Sequence, residues 1–168
     1  TQLAYRDALN VVSRYAFEQG KTSSTLKMHR GCYQEIRSCF HLPSQMACSV
    51  ERDVAAQYKG LWTKLMKNLE QRKAGFTKKR FKGLDQAPKF VSPTLMYQYG
   101  HDYCFKKGQF VSILTLAGRA IIAYDGYAQH LEYLLAGAEI GWARLWYDQP
   151  RKQFYLLVTI ERERPDPT

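Results

Sequence analysis

Ten lysines and arginines crowd into residues 59–89: Lys59, Lys64, Lys67, Arg72, Lys73, Lys78, Lys79, Arg80, Lys82 and Lys89, against only Glu70 and Asp85. This excess of +8 makes up most of the +10 carried by the 168-residue chain. Phe76 and Phe81 interleave with the last of these cations. Lysine and arginine neutralise phosphates and release condensed counterions, while aromatic faces stack on unpaired bases, so the pattern points to an anionic polymer of the nucleic-acid kind. A second group stands at 44–52, where Gln45, Ser49 and Arg52 fall on one helical face at i, i+4, i+7. Gln can pair with adenine and Arg with guanine in bidentate fashion, and a helix N-terminus favours phosphate. The same residues also fit a plainer reading, in which Ser44 caps the helix and the others are solvated.

The residue types needed for catalysis do not converge. The acids weighed for a metal-dependent nuclease, Asp102, Asp125, Glu139 and Asp148, fall in turns and at a strand start, and read as turn acids. His29, His41, His101 and His130 never lie two residues apart, as a histidine-hydrophobe-histidine transposase requires. There is no phosphate-binding glycine loop ending in Lys-Ser/Thr and no nucleophile elbow. Cys32, Cys39, Cys48 and Cys104 form no Cys-x-x-Cys pair and have no His at zinc-finger spacing, so no metal site is expected and the thiols read as reduced and intracellular. No catalytic residue is assigned.

The elements that must position these residues come in two kinds. Residues 1–75 read as three helices. Tyr5, Ala8, Leu9, Val12, Ala16 and Gln19 recur at helical spacing until Gly20. After Thr22-Ser23-Ser24 a second helix should place Leu26, Tyr33, Ile36 and Phe40 on one side. Pro43-Ser44 opens the third, with Ser44 as cap and a stripe of Val50, Val54, Tyr58, Leu61, Leu65 and Leu69. Residues 76–89 lose all periodicity and read as a basic connector. From residue 90 the period becomes two. Strands are expected over 91–99, 103–105, 110–116, 120–124, 139–147 and 154–161, with a helix over 126–136 carrying Tyr127, Leu131, Leu134 and Leu135. Short strands with one inserted helix favour an oligonucleotide-binding-like antiparallel barrel over residues 90–168. The fold class is therefore α+β: a three-helix bundle followed by a small barrel. Trp142 and Trp146 share a strand face with Ile140 and Arg144 and are expected in the barrel core, as are most of Tyr97, Tyr99, Tyr103 and Phe105. No run approaches the roughly 18 apolar residues of a membrane span. The opening Thr1-Gln2-Leu3 shows no leader and no initiator Met, so the natural chain is expected to begin earlier.

Several segments stand in a specific order along the chain: Leu42-Pro43-Ser44-Gln45-Met46-Ala47, Tyr58-Lys59-Gly60-Leu61-Trp62, Lys78-Lys79-Arg80-Phe81-Lys82-Gly83, Phe90-Val91-Ser92-Pro93-Thr94-Leu95, and 141–158. Together they resemble the N-terminal half of the OrfB/TnpB proteins of bacterial insertion sequences, RNA-guided DNA endonucleases related to type V CRISPR effectors. The resemblance implies recognition helices over residues 1–75 and a wedge barrel over 90–168. It puts Gln45, Met46, Ser49 and Arg52 forward as readers of a short adjacent DNA motif, with the ten cations on guide RNA, its duplex with target DNA, or DNA phosphates; Phe76 and Phe81 remain stacking candidates on the residue pattern alone. It implies a bacterial cytoplasmic protein, with guide RNA, double-stranded DNA and the rest of the nuclease chain as partners. The chain ends at Pro165-Asp166-Pro167-Thr168, where the family's RuvC-type nuclease and zinc ribbon would come next, so Mg and Zn are expected only there and no cofactor in these residues. The rival readings are a free-standing transposase or nuclease, and a protein-interaction module that kept the fold.

Overall fold

The computed structural model describes residues 1–92 and 94–161. Pro93, residues 162–168 and the side chain of Leu135, all within the expected barrel segment, lie outside the described residues. The chain is α+β, with helices α1 (Gln2–Glu18), α2 (Thr25–Phe40) and α3 (Ser44–Lys73) followed by strands β1 (Leu95–Tyr97), β2 (Tyr103–Lys106), β3 (Phe110–Thr115) and β4 (Gly118–Ala123), helix α4 (Ala128–Leu135), and strands β5 (Glu139–Asp148) and β6 (Gln153–Glu161). It divides into two compact units, Gln2–Pro93 and Thr94 onward.

In the helical unit the local signals act as their chemistry dictates. Gly20 adopts φ +79° and lets the Thr22 amide reach back to Ala16 O at 3.0 Å, closing α1. Ser24 caps α2 by accepting from the Lys27 amide. Pro43, not Ser44, occupies the cap position of α3, and no side chain caps that end. The core is Tyr5, Ala8, Leu9, Val12 and Ala16 of α1, Met28, Cys32 and Ile36 of α2, and Met46, Ala47, Val50, Val54, Ala55 and Tyr58 of α3. The buried face of α2 is thus rotated from the expected one, and Leu26 is 57% exposed. Gly31 lets α1 come close to α2: a Cβ there would run into the Tyr15 ring, so the bare backbone admits it. Two phenols tie α1 to α3, Tyr58 donating to Ser13 O at 2.8 Å and Tyr5 to Asp53 Oδ2 at 2.9 Å.

The apolar stripe of α3 continues to Leu69 in the sequence, but full burial ends at Tyr58. Length is the reason. At ~1.5 Å per residue, α3 runs ~45 Å while α1 and α2 run only ~25 Å, so the distal turns outreach their partners. Leu61 and Leu65 are half-buried there, and Trp62, Met66 and Leu69 are exposed.

The segment after α3 is not a free connector. Residues 76–92 belong to the helical unit. Asn68 donates to Lys79 O and accepts from the Phe81 amide, both at 3.0 Å. Asn10 holds Phe90 the same way, donating to its carbonyl at 2.9 Å and accepting from its amide at 2.8 Å. Ser13 Oγ donates to Pro88 O at 2.7 Å, and Leu84 is buried. The segment is a strap pinned along its length. The strand expected over 91–99 is only the three residues of β1, Leu95–Tyr97. Asn68→Ala should remove about 1 kcal/mol of the free energy that keeps the strap closed, about five-fold in local opening. Tryptic cleavage after Lys78, Lys79 or Arg80 should quicken accordingly, with helix content unchanged. An unchanged rate would assign the restraint to Leu84 and Asn10.

In the second unit the strands form two antiparallel three-stranded sheets, β1-β5-β6 and β2-β3-β4. Side chains rather than a continuous backbone ladder join them: Tyr97 Oη donates to Leu114 O at 2.8 Å and Tyr103 Oη to Gly141 O at 2.9 Å. Burial raises the pKa of both phenols, keeping them protonated donors. Leu95, Val111, Ile113 and Ala143 fill the space around them. Tyr99 and Phe105 are half-buried at the rim of this cluster, with ring centroids 5.3 and 5.9 Å from that of Tyr103.

Candidate nucleic-acid interface

All ten cations of residues 59–89 are exposed, five on the outrunning half of α3 and five on the strap. The outreach of α3 beyond its partner helices and the asparagine clamps on the strap leave these side chains at the surface. Among the described residues Arg80 alone of the ten is already neutralised, paired with Asp85 Oδ1 at 2.6 Å. Phe76 projects into solvent, 84% exposed. Phe81 is half-buried, its ring so close to Gly83 that a Cβ there would fall 2.3 Å from it. Phe76 is therefore free to stack on a base, whereas Phe81 chiefly shapes the strap. Between Lys59 and Lys67, a shallow cleft of about 570 Å³ is lined by Trp62, Met66, Ser23, Thr63 and Glu70. Trp62 is held by donating Nε1–H to Lys21 O at 2.8 Å.

The start of α3 is corrected in part. Met46 is wholly buried and Ser49 nearly so, both in the bundle core, so neither is presented to a base edge. Arg52 is exposed but folds back on its own helix, donating to Cys48 O and Ser49 Oγ at 3.3 and 3.4 Å. Gln45 is half-buried. A face at i, i+4, i+7 faces solvent only if the bundle leaves it uncovered, and here α1 and α2 cover most of it.

No protein-family model matches the chain, and no curated protein matches it. Its function must therefore be argued from its own residues.

Those residues include a second surface, formed by two tryptophans expected in the barrel core. Trp142 and Trp146 are 49% and 40% exposed on the outer face of β5, with exposed Arg144 between them. Tyr155 and Leu157 of β6 pair opposite Trp146 and Arg144, and the Trp146 and Tyr155 rings lie 5.4 Å apart. The register shifts by one residue between Ile140 and Ala143, so Ile140 does not share the face of the tryptophans, and from there on Ala143, Leu145 and Tyr147 take the inward side of β5. Arg144, which has no place in a small core, was the available signal.

Other chemistry-bearing groups have identifiable work or company. Asp102 is buried rather than solvated, its Oδ2 accepting from the Gln98 amide at 2.8 Å to hold the corner before β2. Asp148 accepts from Arg151 across the β5–β6 turn, and Asp125 accepts from the Gly126 amide. The fold also gathers His29, Cys48 and Glu51, a grouping that no sequence spacing signals. Burial raises the pKa of the Glu51 carboxyl, with the hydrogen bond from His29 opposing it. Burial and then the Glu51 charge raise that of the Cys48 thiol. Burial, Glu35 and Glu51 push Cys32 up to about 12, so it stays an inert thiol.

Proposed function

We propose that this chain binds nucleic acid, as the recognition and wedge portion of a transposon-encoded RNA-guided DNA endonuclease whose catalytic domain lies outside these residues. The observation that carries the binding is the exposure of ten cations on two segments held in place by the bundle and its asparagine clamps. The order of motifs from Leu42 to Val158 carries the family assignment. In this reading the distal half of α3 and the strap follow phosphates of the guide RNA or of its duplex with target DNA. Phe76 and the Trp142–Arg144–Trp146 face stack on unpaired RNA bases. Gln45 and Arg52 are what remains of the adjacent-motif reader, and base pairing reads the target itself. The protein acts in the bacterial cytoplasm, on the nucleoid when DNA-bound. Among the described residues no helix is long and apolar enough to cross a membrane.

The test is a binding titration at two salt concentrations with structured RNA from the end of its own transposon, an unrelated RNA of equal length, and duplex DNA. Tight, salt-sensitive binding that prefers the transposon RNA is expected. Weak binding, indifferent to salt and ligand, would overturn the reading in favour of a protein-docking module, for which exposed Trp62, Met66 and Leu69 on α3 would then be the natural contact. Within the same assay, Trp146→Ala should weaken single-stranded RNA binding by about 1–3 kcal/mol and leave duplex DNA unaffected. Equal loss on both ligands would remove the stacking role.

A further inference from the structure

We propose that His29, Cys48 and Glu51 form a zinc-binding site that ties α2 to α3. Cys48 and Glu51 stand at i, i+3 on one face of α3, and His29 faces them from α2. One ring nitrogen, the Cys48 Sγ and one carboxylate oxygen all lie within 4.8 Å of one another. His29 Nδ1 already sits 2.9 Å from Glu51 Oε2.

The Glu51 side chain is only 4% exposed, and its Oε1 has no hydrogen-bond partner among the described residues. A buried, unsatisfied carboxylate oxygen is costly, and native structures rarely keep one without an ion or a water to satisfy it. An imidazole, a thiolate and a carboxylate are zinc's own ligand types, whereas the sulfur argues against magnesium and calcium. Zinc bond lengths place tetrahedral ligands ~3.3–3.8 Å apart, so the widest separation, at most 4.8 Å, has to close by up to about 1 Å, while the 2.9 Å His29–Glu51 contact opens slightly to admit the ion. Cys48 is half-buried and the His29 side chain is 44% exposed, so both can make that adjustment and the ion can enter from solvent. Binding displaces the thiol proton and leaves one coordination position to water. The ion would clamp the first turns of α3 against α2, independently of any nucleic acid.

The test is titration of the full chain with Co²⁺ as a spectroscopic probe, followed by competition with Zn²⁺. One Co²⁺ per chain is expected, with a sulfur-to-cobalt charge-transfer band that Zn²⁺ abolishes. Cys48→Ser should remove the band, and His29→Ala should raise the Kd for Zn²⁺ by about tenfold or more, as should Glu51→Gln. Cys39→Ser should leave the band intact, since that exposed thiol lies outside the cluster. A band that survives in Cys48→Ser, or no band at one equivalent in the parent protein, would overturn the site and leave His29–Glu51 as a plain hydrogen-bonded contact. Circular dichroism on each variant separates lost binding from lost folding, and Cys48→Ser, a near-isosteric change at a half-buried position, keeps the test available.

Discussion

Replacing Lys78, Lys79 and Lys82 together by alanine should lower affinity for RNA and duplex DNA on the order of 10²-fold at about 0.1 M salt, whatever their sequence. All three are exposed and have no acidic partner among the described residues, so each is free to displace a counterion from a phosphate. Loss of three such contacts should flatten the slope of log K against log salt by about 3. Between 50 and 200 mM salt the variant should then lose about 40-fold less affinity than the parent. Arg80→Ala should do less than any one of the three, because Asp85 already neutralises its guanidinium. Asp85→Asn should have the opposite sign and tighten binding. The strap is held by Asn10, Asn68, Ser13 and Leu84 rather than by these lysines, so the circular dichroism of the triple variant should match the parent. Unchanged affinity and slope in the triple variant would mean that the basic strap does not touch phosphate.

Tyr58→Ala should have the largest effect on stability, about 3–5 kcal/mol. The ring is wholly buried where the bundle core ends on α3, and its hydroxyl donates to the Ser13 carbonyl on α1. Alanine there opens a cavity at the last fully packed turn, with only the outrunning part of α3 beyond it to close in. Tyr58→Phe keeps the ring and loses one buried hydrogen bond, so it should cost about 1 kcal/mol. Hydrogen exchange of α1 and α3 amides reads both, and it reports the helical unit without assuming that the whole chain unfolds in one step. Equal costs for the two variants would mean that the hydroxyl, not the ring, joins the helices.

Much of the architecture is local and legible as such. Helix periodicity, the stop at Gly20, the cap at Ser24 and the β5–β6 hairpin depend on neighbours within a few residues, and each lies where its sequence signal stands. The crowding of cations into residues 59–89 is likewise a property of the sequence, and it already names the kind of partner proposed. What the tertiary structure alone decided is which side of each element meets solvent. Met28, Cys32 and Ile36 take the buried face of α2 while Leu26 is left exposed, and Gly31 leaves space there for Tyr15. Met46 and Ser49 leave the candidate reader because α1 and α2 cover them. In β5, Ala143, Leu145 and Tyr147 take the inward side and leave the two tryptophans at the surface. The strap is fixed by hydrogen bonds spanning 75 and 80 residues, and the His29–Glu51 contact spans 22. Spacing along a chain encodes contacts within one element, whereas contacts between elements depend on helix lengths, a missing Cβ and a register shift, which act only once the elements have packed.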